Sequence, residues 1–230
     1  MRFPQTIRQL NFLITAGGTR EYIDPVRFIS NASTGKMGYE LAKAAQAIGH
    51  NVTLITTIRN PKSEIRNPKP RIVLVETADE MLGAVKKHFP KCDCLIMAAA
   101  VSDYTPVKTS RQKIRKSNRL ITLKLKPTPD ILKWAGFHKH KGQVVVGFAL
   151  EDLNLKTNAE RKLRDKNLDM VVANTPLAIG SEQSEIFVKA VGQKWLRFGR
   201  EPKRKIARRL ISLIQSLIPK SSLVNSDSNL

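Results

Sequence analysis

Residues 12–38 read FLITAGGTREYIDPVRFISNASTGKMG, and the fold turns on how that stretch divides. Residues 12–15 are a short apolar run of strand type, followed by two glycines. From Lys36 the period changes: Met37, Leu41, Ala44, Ala45 and Ile48 fall on one face of a helix that Gly49 closes. Strand followed by helix is the opening unit of an α/β fold. Such crossings usually take a few residues, and this one takes roughly twenty, which raises the question of what the segment holds.

The alternation continues downstream. NVTLIT (51–56) and RIVLVET (71–77) are strand-like, separated by a Pro-rich loop at 59–71, and a helix follows over 78–88. DCLIMAAAV (93–101) is a continuous apolar run, as expected of a strand buried on both faces. RLITLKLK (119–126) instead alternates Leu120, Thr122, Lys124 and Lys126 with Ile121, Leu123 and Leu125, the period of a half-exposed strand. With the basic residues before it, this stretch reads as a flap, about 104–128, outside the main sheet. Helices are expected at 129–139 and 153–165, central strands at 144–150 and 168–174, a hairpin from 186–191 and 194–199, and an amphipathic last helix at 200–218. The tail, 219–230, is too polar to join a core. Repeated β–α units give an α/β, doubly wound, mostly parallel sheet, with residues 1–218 as one domain.

The chain has 230 residues and a formal net charge of +21. No apolar run reaches the ~18 residues of a membrane helix, and the N-terminus MRFPQTIRQLN has no signal-peptide apolar core. Cys92 and Cys94, with only four histidines in the chain, do not make an ordinary zinc site and read as reduced core thiols of a cytoplasmic protein. The charge is uneven. Eleven Lys or Arg against one acid lie between 108 and 141, and eight against one between 194 and 209. That field suits nucleotides, phosphorylated metabolites or nucleic acid, and equally describes solvated lysines on outer faces.

Two standard phosphate motifs are absent. G-x-G-x-x-G fails because Gly17 and Gly18 are adjacent and the next glycine is Gly35. A P-loop fails because Met37 follows Gly35-Lys36 and position 30 is Ser. Ser33, Thr34 and Gly35 nevertheless precede a helix, where they either cap it or offer N–H groups to an anion. Arg20 and Arg27 are suited to bidentate contact with a carboxylate or phosphate, and Asn31 both donates and accepts.

These residues carry a resemblance. AGGTREYIDPVRFISNASTGKMG is similar to the N-terminal motif of the phosphopantothenoylcysteine synthetase family, ligases of coenzyme A biosynthesis. The similarity continues at AAAVSDY (98–104), KIRK (113–116), TPDIL (128–132), VGFALE (146–151) and KNLDMVVAN (166–174), in the family's order over residues 11 to about 200. The resemblance implies a Rossmann-like, usually dimeric ligase that joins 4′-phosphopantothenate to cysteine. It implies CTP as co-substrate (ATP in the eukaryotic branch), a divalent cation such as Mg2+ with the nucleotide, and no flavin. A decarboxylase domain often joined to such ligases is not recognisable, so the pathway's decarboxylation is expected of a separate protein.

The resemblance also assigns roles. Asn31 would bind the acyl intermediate and help turn it over with cysteine. Arg27 would act near it or across the dimer contact, and Lys113 would approach the triphosphate from the flap. Met97, Ala98 and Ala99 would admit the nucleotide to the backbone, and Asp103 would hold a ribose hydroxyl, the base or a cation. Pro129, Asp130, Ile131 and Leu132 start a helix facing the phosphates, and Phe148 packs beside the nucleotide. Lys162 and Lys166, at i and i+4, share a helix face suited to a triphosphate. Gly17, Gly18, Gly35 and Lys36 are candidates, with Asn31, for phosphopantothenate. Two positions depart from the family: Leu150 where a small residue is usual, and Ser184 where asparagine is expected. Two other readings compete. An NAD(P)-dependent short-chain-dehydrogenase-like enzyme predicts a Tyr-x-x-x-Lys pair, and a basic nucleic-acid-binding protein predicts steeply salt-dependent binding.

Overall fold

A computed structural model describes residues 8–59 and 70–219; most of the Pro-rich loop at 59–71 and nearly all of the 219–230 tail lie outside the described residues. In chain order the elements are β1 (Asn11–Ala16), β2 (Arg20–Tyr22), β3 (Phe28–Ser30), α1 (Lys36–Ala47), β4 (Asn51–Thr56), β5 (Arg71–Leu74), α2 (Ala78–His88), β6 (Cys94–Met97), β7 (Tyr104–Pro106) and β8 (Leu125–Pro127). They continue with α3 (Ile131–His138), β9 (Val144–Leu150), α4 (Leu155–Asp165), β10 (Met170–Asn174), β11 (Gln183–Ala190), β12 (Leu196–Pro202) and α5 (Lys203–Leu217).

The main sheet has eight strands in the order β12-β11-β10-β9-β6-β1-β4-β5. From β5 to β10 every pairing is parallel, and β11 and β12 extend that edge antiparallel. Numbered by appearance, the six parallel strands lie 3-2-1-4-5-6, the Rossmann-like doubly wound order. The strands' period of two sorts their apolar residues between two cores. Phe12, Ile14 and Ala16 face α1 and α5 with Val52, Ile96, Val146 and Val172. Leu13, Leu95, Val145 and Val171 face α2, α3 and α4. Each such fully buried side chain contributes about 1.5–3 kcal/mol by leaving water.

Several boundaries move. The long connection after β1 contains an antiparallel hairpin of β2 and β3, registered Arg20 to Ser30 and Tyr22 to Phe28. The apolar run at 93–101 leaves the sheet at Met97, after which only Ala100 makes an isolated bridge, to Gly18. The flap does lie outside the main sheet, but of the strand expected at 119–126 only β8 at its end forms, paired with the three residues of β7. Among the described residues no helix is long and apolar enough to cross a membrane. Cys92 and Cys94 are buried and unbridged, and burial pushes the Cys92 thiol up to about 12 and Cys94 well above its ordinary value.

The close seat of α1 on β1 depends on Gly38. A Cβ there would lie 2.6 Å from Ala16 Cβ and 2.8 Å from Thr15 O, neither of which is the end of a flexible side chain. Gly38→Ala is expected to destabilise the fold by about 1–3 kcal/mol despite alanine's better helix propensity. The check is a lowered urea midpoint with an unchanged m-value.

Candidate active site

Where the sheet order reverses, the chain leaving β1 and the chain leaving β6 part in opposite directions, and a crevice opens at their carboxyl ends. Hydrogen bonds tie the two exits together. Ala99 N donates to Thr15 Oγ1 (3.1 Å), Ala100 N to Gly17 O (2.8 Å) and Ser102 N to Thr19 Oγ1 (2.9 Å). The resulting cleft is about 690 Å³. Of the residues singled out in the sequence, Asn31, Gly35, Lys36, Met97, Ala98, Ala99, Asp103, Pro129, Asp130, Ile131, Leu132, Phe148, Lys162 and Lys166 line it. Gly17, Gly18, Arg27 and Lys113 do not. A smaller cavity of about 320 Å³, around His50, Arg71 and His88, lies at the amino ends of the strands, away from these residues.

The two glycines after β1 act on the backbone. A Cβ on Gly18 would sit 2.7 Å from Asn31 O, so its bareness lets Asn31 come close. Gly35 has φ +70°, and a Cβ on it would lie 3.0 Å from Gly17 N, so its bareness lets the loop close against the start of α1. Asn31 Nδ2 donates to Ala100 O (3.2 Å) and Val101 O (3.1 Å), which fixes the amide across the crevice. Among the described residues its Oδ1 accepts no hydrogen bond and is available to a ligand.

The cationic wall is built on α4. Lys162 is partly buried and donates to Phe148 O at 2.7 Å. Burial, then the neighbouring Lys166, lower its pKa against the pull of Glu151, Asp130 and Asp103. Lys166 pairs instead with Asp130 at 2.9 Å. Asp130 also caps α3, accepting from Lys133 N at 2.9 Å, so the helix begins at Ile131 and not at 129. Burial alone would raise the Asp130 pKa, but the hydrogen bonds from Lys166 and Lys133 N and the nearby charges hold it below its ordinary value. The Asp103 carboxylate makes no hydrogen bond or ion pair among the described residues. Leu150 lies in the cleft lining, while Ser184 is buried within β11 and does not, so only the first departure touches the site.

Sequence reasoning missed Asn174, Ile179 and Lys203, which also line the cleft. Asn174 ends a strand and had a positional signal; Lys203 sits among eight basic residues and had none. The Tyr-x-x-x-Lys spacing does occur, at Tyr39–Lys43 and Tyr104–Lys108. Neither pair lines the cleft: Tyr39 Oη bonds to Thr56 Oγ1 (3.2 Å) and Lys43 faces Glu40.

Arg27 and Lys113 meet through Asp24. That carboxylate is fully buried and accepts from Val26 N and Arg27 N (2.9 Å each), Arg27 Nε (3.0 Å) and Ile114 N (3.1 Å), while Arg27 Nη2 donates both to it and to Ile114 O. The flap is thus pinned one residue from Lys113, whose exposed side chain has no partner among the described residues. The Arg27 guanidinium holds the Asp24 carboxyl far below the usual range; burial opposes this, and the N–H donors add to it. A depressed carboxylate stabilises above its unfolded pKa, about 3.9, and loses that contribution as pH falls toward the folded value. Asp24→Asn should therefore cost stability at neutral pH, with the gap from wild type narrowing steadily below about pH 4. It should also speed amide exchange at 109–116, and unchanged exchange there would remove the pin.

The family described as the DNA/pantothenate metabolism flavoprotein C-terminal domain matches residues 7–218. A cysteine/cysteine sulfinic acid decarboxylase from an unknown prokaryotic organism is 41% identical over 212 residues, 89% of this chain and 58% of the relative. The coenzyme A biosynthesis bifunctional protein CoaBC of Bacillus subtilis (strain 168) is 46% identical over 171 residues, 74% of this chain and 41% of that protein. The chain thus spans about half the length of the curated relatives it matches. A crystal structure of the C-terminal domain of a CoaBC protein superposes with a TM-score of 0.75 at 35% identity, covering 90% of this chain and 95% of that one. The chain belongs to the DNA/pantothenate metabolism flavoprotein C-terminal domain family.

Proposed function

We propose that the chain is a phosphopantothenate–cysteine ligase of coenzyme A biosynthesis, working through an acyl-nucleotidylate made from CTP. The observation that carries this reading is the single cleft in which Asn31, Asp103, Phe148, Lys162 and Lys166, drawn from separate sequence blocks, face one another at the sheet's switch point. The likeness to the C-terminal domain of CoaBC, over nearly the whole of that domain, supports it.

The first step brings two anions together. A carboxylate oxygen of phosphopantothenate attacks the α-phosphorus, and the bond to pyrophosphate breaks. Two unit charges about 4 Å apart repel by about 4 kcal/mol at an effective dielectric of 20, so catalysis is chiefly placement and charge cancellation. Lys162 supplies fixed positive charge, Lys166 stays paired with Asp130 beside it, and Lys113 adds a mobile charge on its unpartnered side chain. In the second step the cysteine amine attacks the acyl carbon, CMP leaves, and the amine gives up a proton. Asn31, held by two carbonyls, accepts with its Oδ1 from the cysteine amine or from an N–H or O–H of the acyl group and so orients it.

Magnesium would enter with the nucleotide. Among the described residues no group of three or more His, Cys, Asp or Glu forms a cage. Magnesium bound mainly by phosphates needs only one or two carboxylates, and the unengaged Asp103 fits that need. Bound there, the ion would lessen the charge on the phosphates. The flap presents Leu120, Ile121, Leu123 and Leu125 to solvent, and pairing of two chains through their flaps as a homodimer would cover them.

Purified protein given phosphopantothenate and CTP should release pyrophosphate, and cysteine should then yield CMP and the amide. No turnover with either CTP or ATP rejects the reading. Lys113→Gln should slow pyrophosphate release by about 10²-fold. Asn31→Ala should keep nucleotide affinity while the acyl-nucleotidylate accumulates.

A further inference from the structure

Lys203 is the first residue of α5 and one of eight basic residues between 194 and 209. Its neighbours Arg204, Lys205 and Arg208 are exposed, whereas Lys203 is 6% exposed and lines the cleft. Its ammonium has three donors, and one is used, toward Ala178 O at 2.8 Å. Among the described residues no carboxylate forms an ion pair or hydrogen bond with its ammonium. The nearest acid by electrostatic effect, Glu182, is an exposed side chain that pairs with Lys36, and Lys36 lines the same part of the cleft. Two ammonium groups therefore share one corner, with a single solvent-facing carboxylate between them. Burial and the charge of Lys36 lower the Lys203 pKa, and Glu182 opposes them.

A buried cation with no counter-ion is costly, and an apolar side chain of similar length would serve packing better. The corner is completed by a ligand that brings its own negative charge. We infer that Lys203, together with Lys36, binds a phosphate group of a phosphorylated substrate in the cleft, a role the sequence suggested for Lys36 and not for Lys203. The phosphate belongs either to the nucleotide's triphosphate or to the phosphate monoester of the acid. On binding, Lys36 exchanges Glu182 for phosphate, and the two free donors of Lys203 are used. This deepens the ligase reading and rests on it for the identity of the ligands.

The test is calorimetric titration of CTP, pyrophosphate and phosphopantothenate into wild type, Lys203→Met, Lys203→Gln and the exposed control Lys205→Met. Glutamine keeps a donor for Ala178 O without the charge, so it separates the charge from the tether if the methionine variant folds poorly. Loss of a charge-assisted hydrogen bond predicts a roughly 10- to 100-fold weaker Kd in both Lys203 variants and none in the control. Weakening confined to CTP and pyrophosphate places the triphosphate at Lys203, and weakening confined to phosphopantothenate places the monoester there. A thermal midpoint at or above that of wild type is expected for the methionine variant. Affinities within twofold of wild type for all three ligands would overturn the inference, as would lowered stability without lost affinity. A wild-type protein that makes the amide while the variants keep their affinities loses only the Lys203 site. One that shows the Lys203 dependence yet makes no amide keeps the site and loses the ligase reading. Failure of wild type to bind any of the three overturns both.

Discussion

Ala99 N–H reaches Thr15 Oγ1, and Ala100 N–H reaches Gly17 O, at the place where neighbouring parallel strands send their chains to opposite sides. Those two bonds decide the shape of the site. Without them the chain leaving β6 would have no fixed relation to the chain leaving β1, and the crevice between would vary in width. With them, Ala100 O and Val101 O stand where the Asn31 amide clamps both. The small side chains of residues 98–100 follow from the same constraint, because a bulky residue would fill the crevice that the strand order creates.

The cleft is also a place where positive charge is kept partly out of water. Lys162 and Lys203 each surrender hydration for a backbone carbonyl, Phe148 O in one case and Ala178 O in the other. A carbonyl satisfies one donor and leaves the charge uncancelled, so each lysine retains an appetite for an anion that a carboxylate partner would have removed. Lys166 differs: Asp130 cancels its charge and at the same time caps α3, which makes that pair a fixture of the wall. Charges in a screened, low-dielectric cleft act more strongly on a phosphate than the same charges on the outer faces of α5 or the flap. Much of the chain's excess charge lies on those faces, and the site uses a small part of it.

What the sequence disclosed follows from what local pattern encodes. The helical spacing after Lys36 reflects one-sided burial, and that helix and the strand-like run at 51–56 both lie where the sequence puts them. The β2–β3 hairpin escaped notice because three-residue strands carry too few positions to show a period. The apolar run through Val101 was read as strand to its end, yet the backbone leaves the sheet after Met97; apolar character there serves the crevice and not a pleat. Gly17 and Gly18 were read as candidates for phosphopantothenate; the room their missing side chains leave is taken by Thr57 and Asn31, and neither glycine lines the cleft. Lys203 was beyond reach, since burial of one lysine among many is a tertiary fact.

The length of the connection after β1 now has a physical reason. Its carboxyl end must place Asn31 against the loop after β6, and its middle must travel far enough to present the Asp24 turn to the flap. Tyr22 O accepts from Thr109 Oγ1 and Ile23 O from Ser110 N, so the hairpin and the flap are sewn together over several residues before Ile114 is reached. A connection of a few residues would reach one of these targets and not both. Because one segment holds Asn31 and the anchor of the lysine-bearing flap, a displacement of either is felt by the other through buried Asp24 and the exposed Arg27 paired with it. An element rigid enough to transmit that displacement needs its own hydrogen-bonded structure, and the hairpin supplies it.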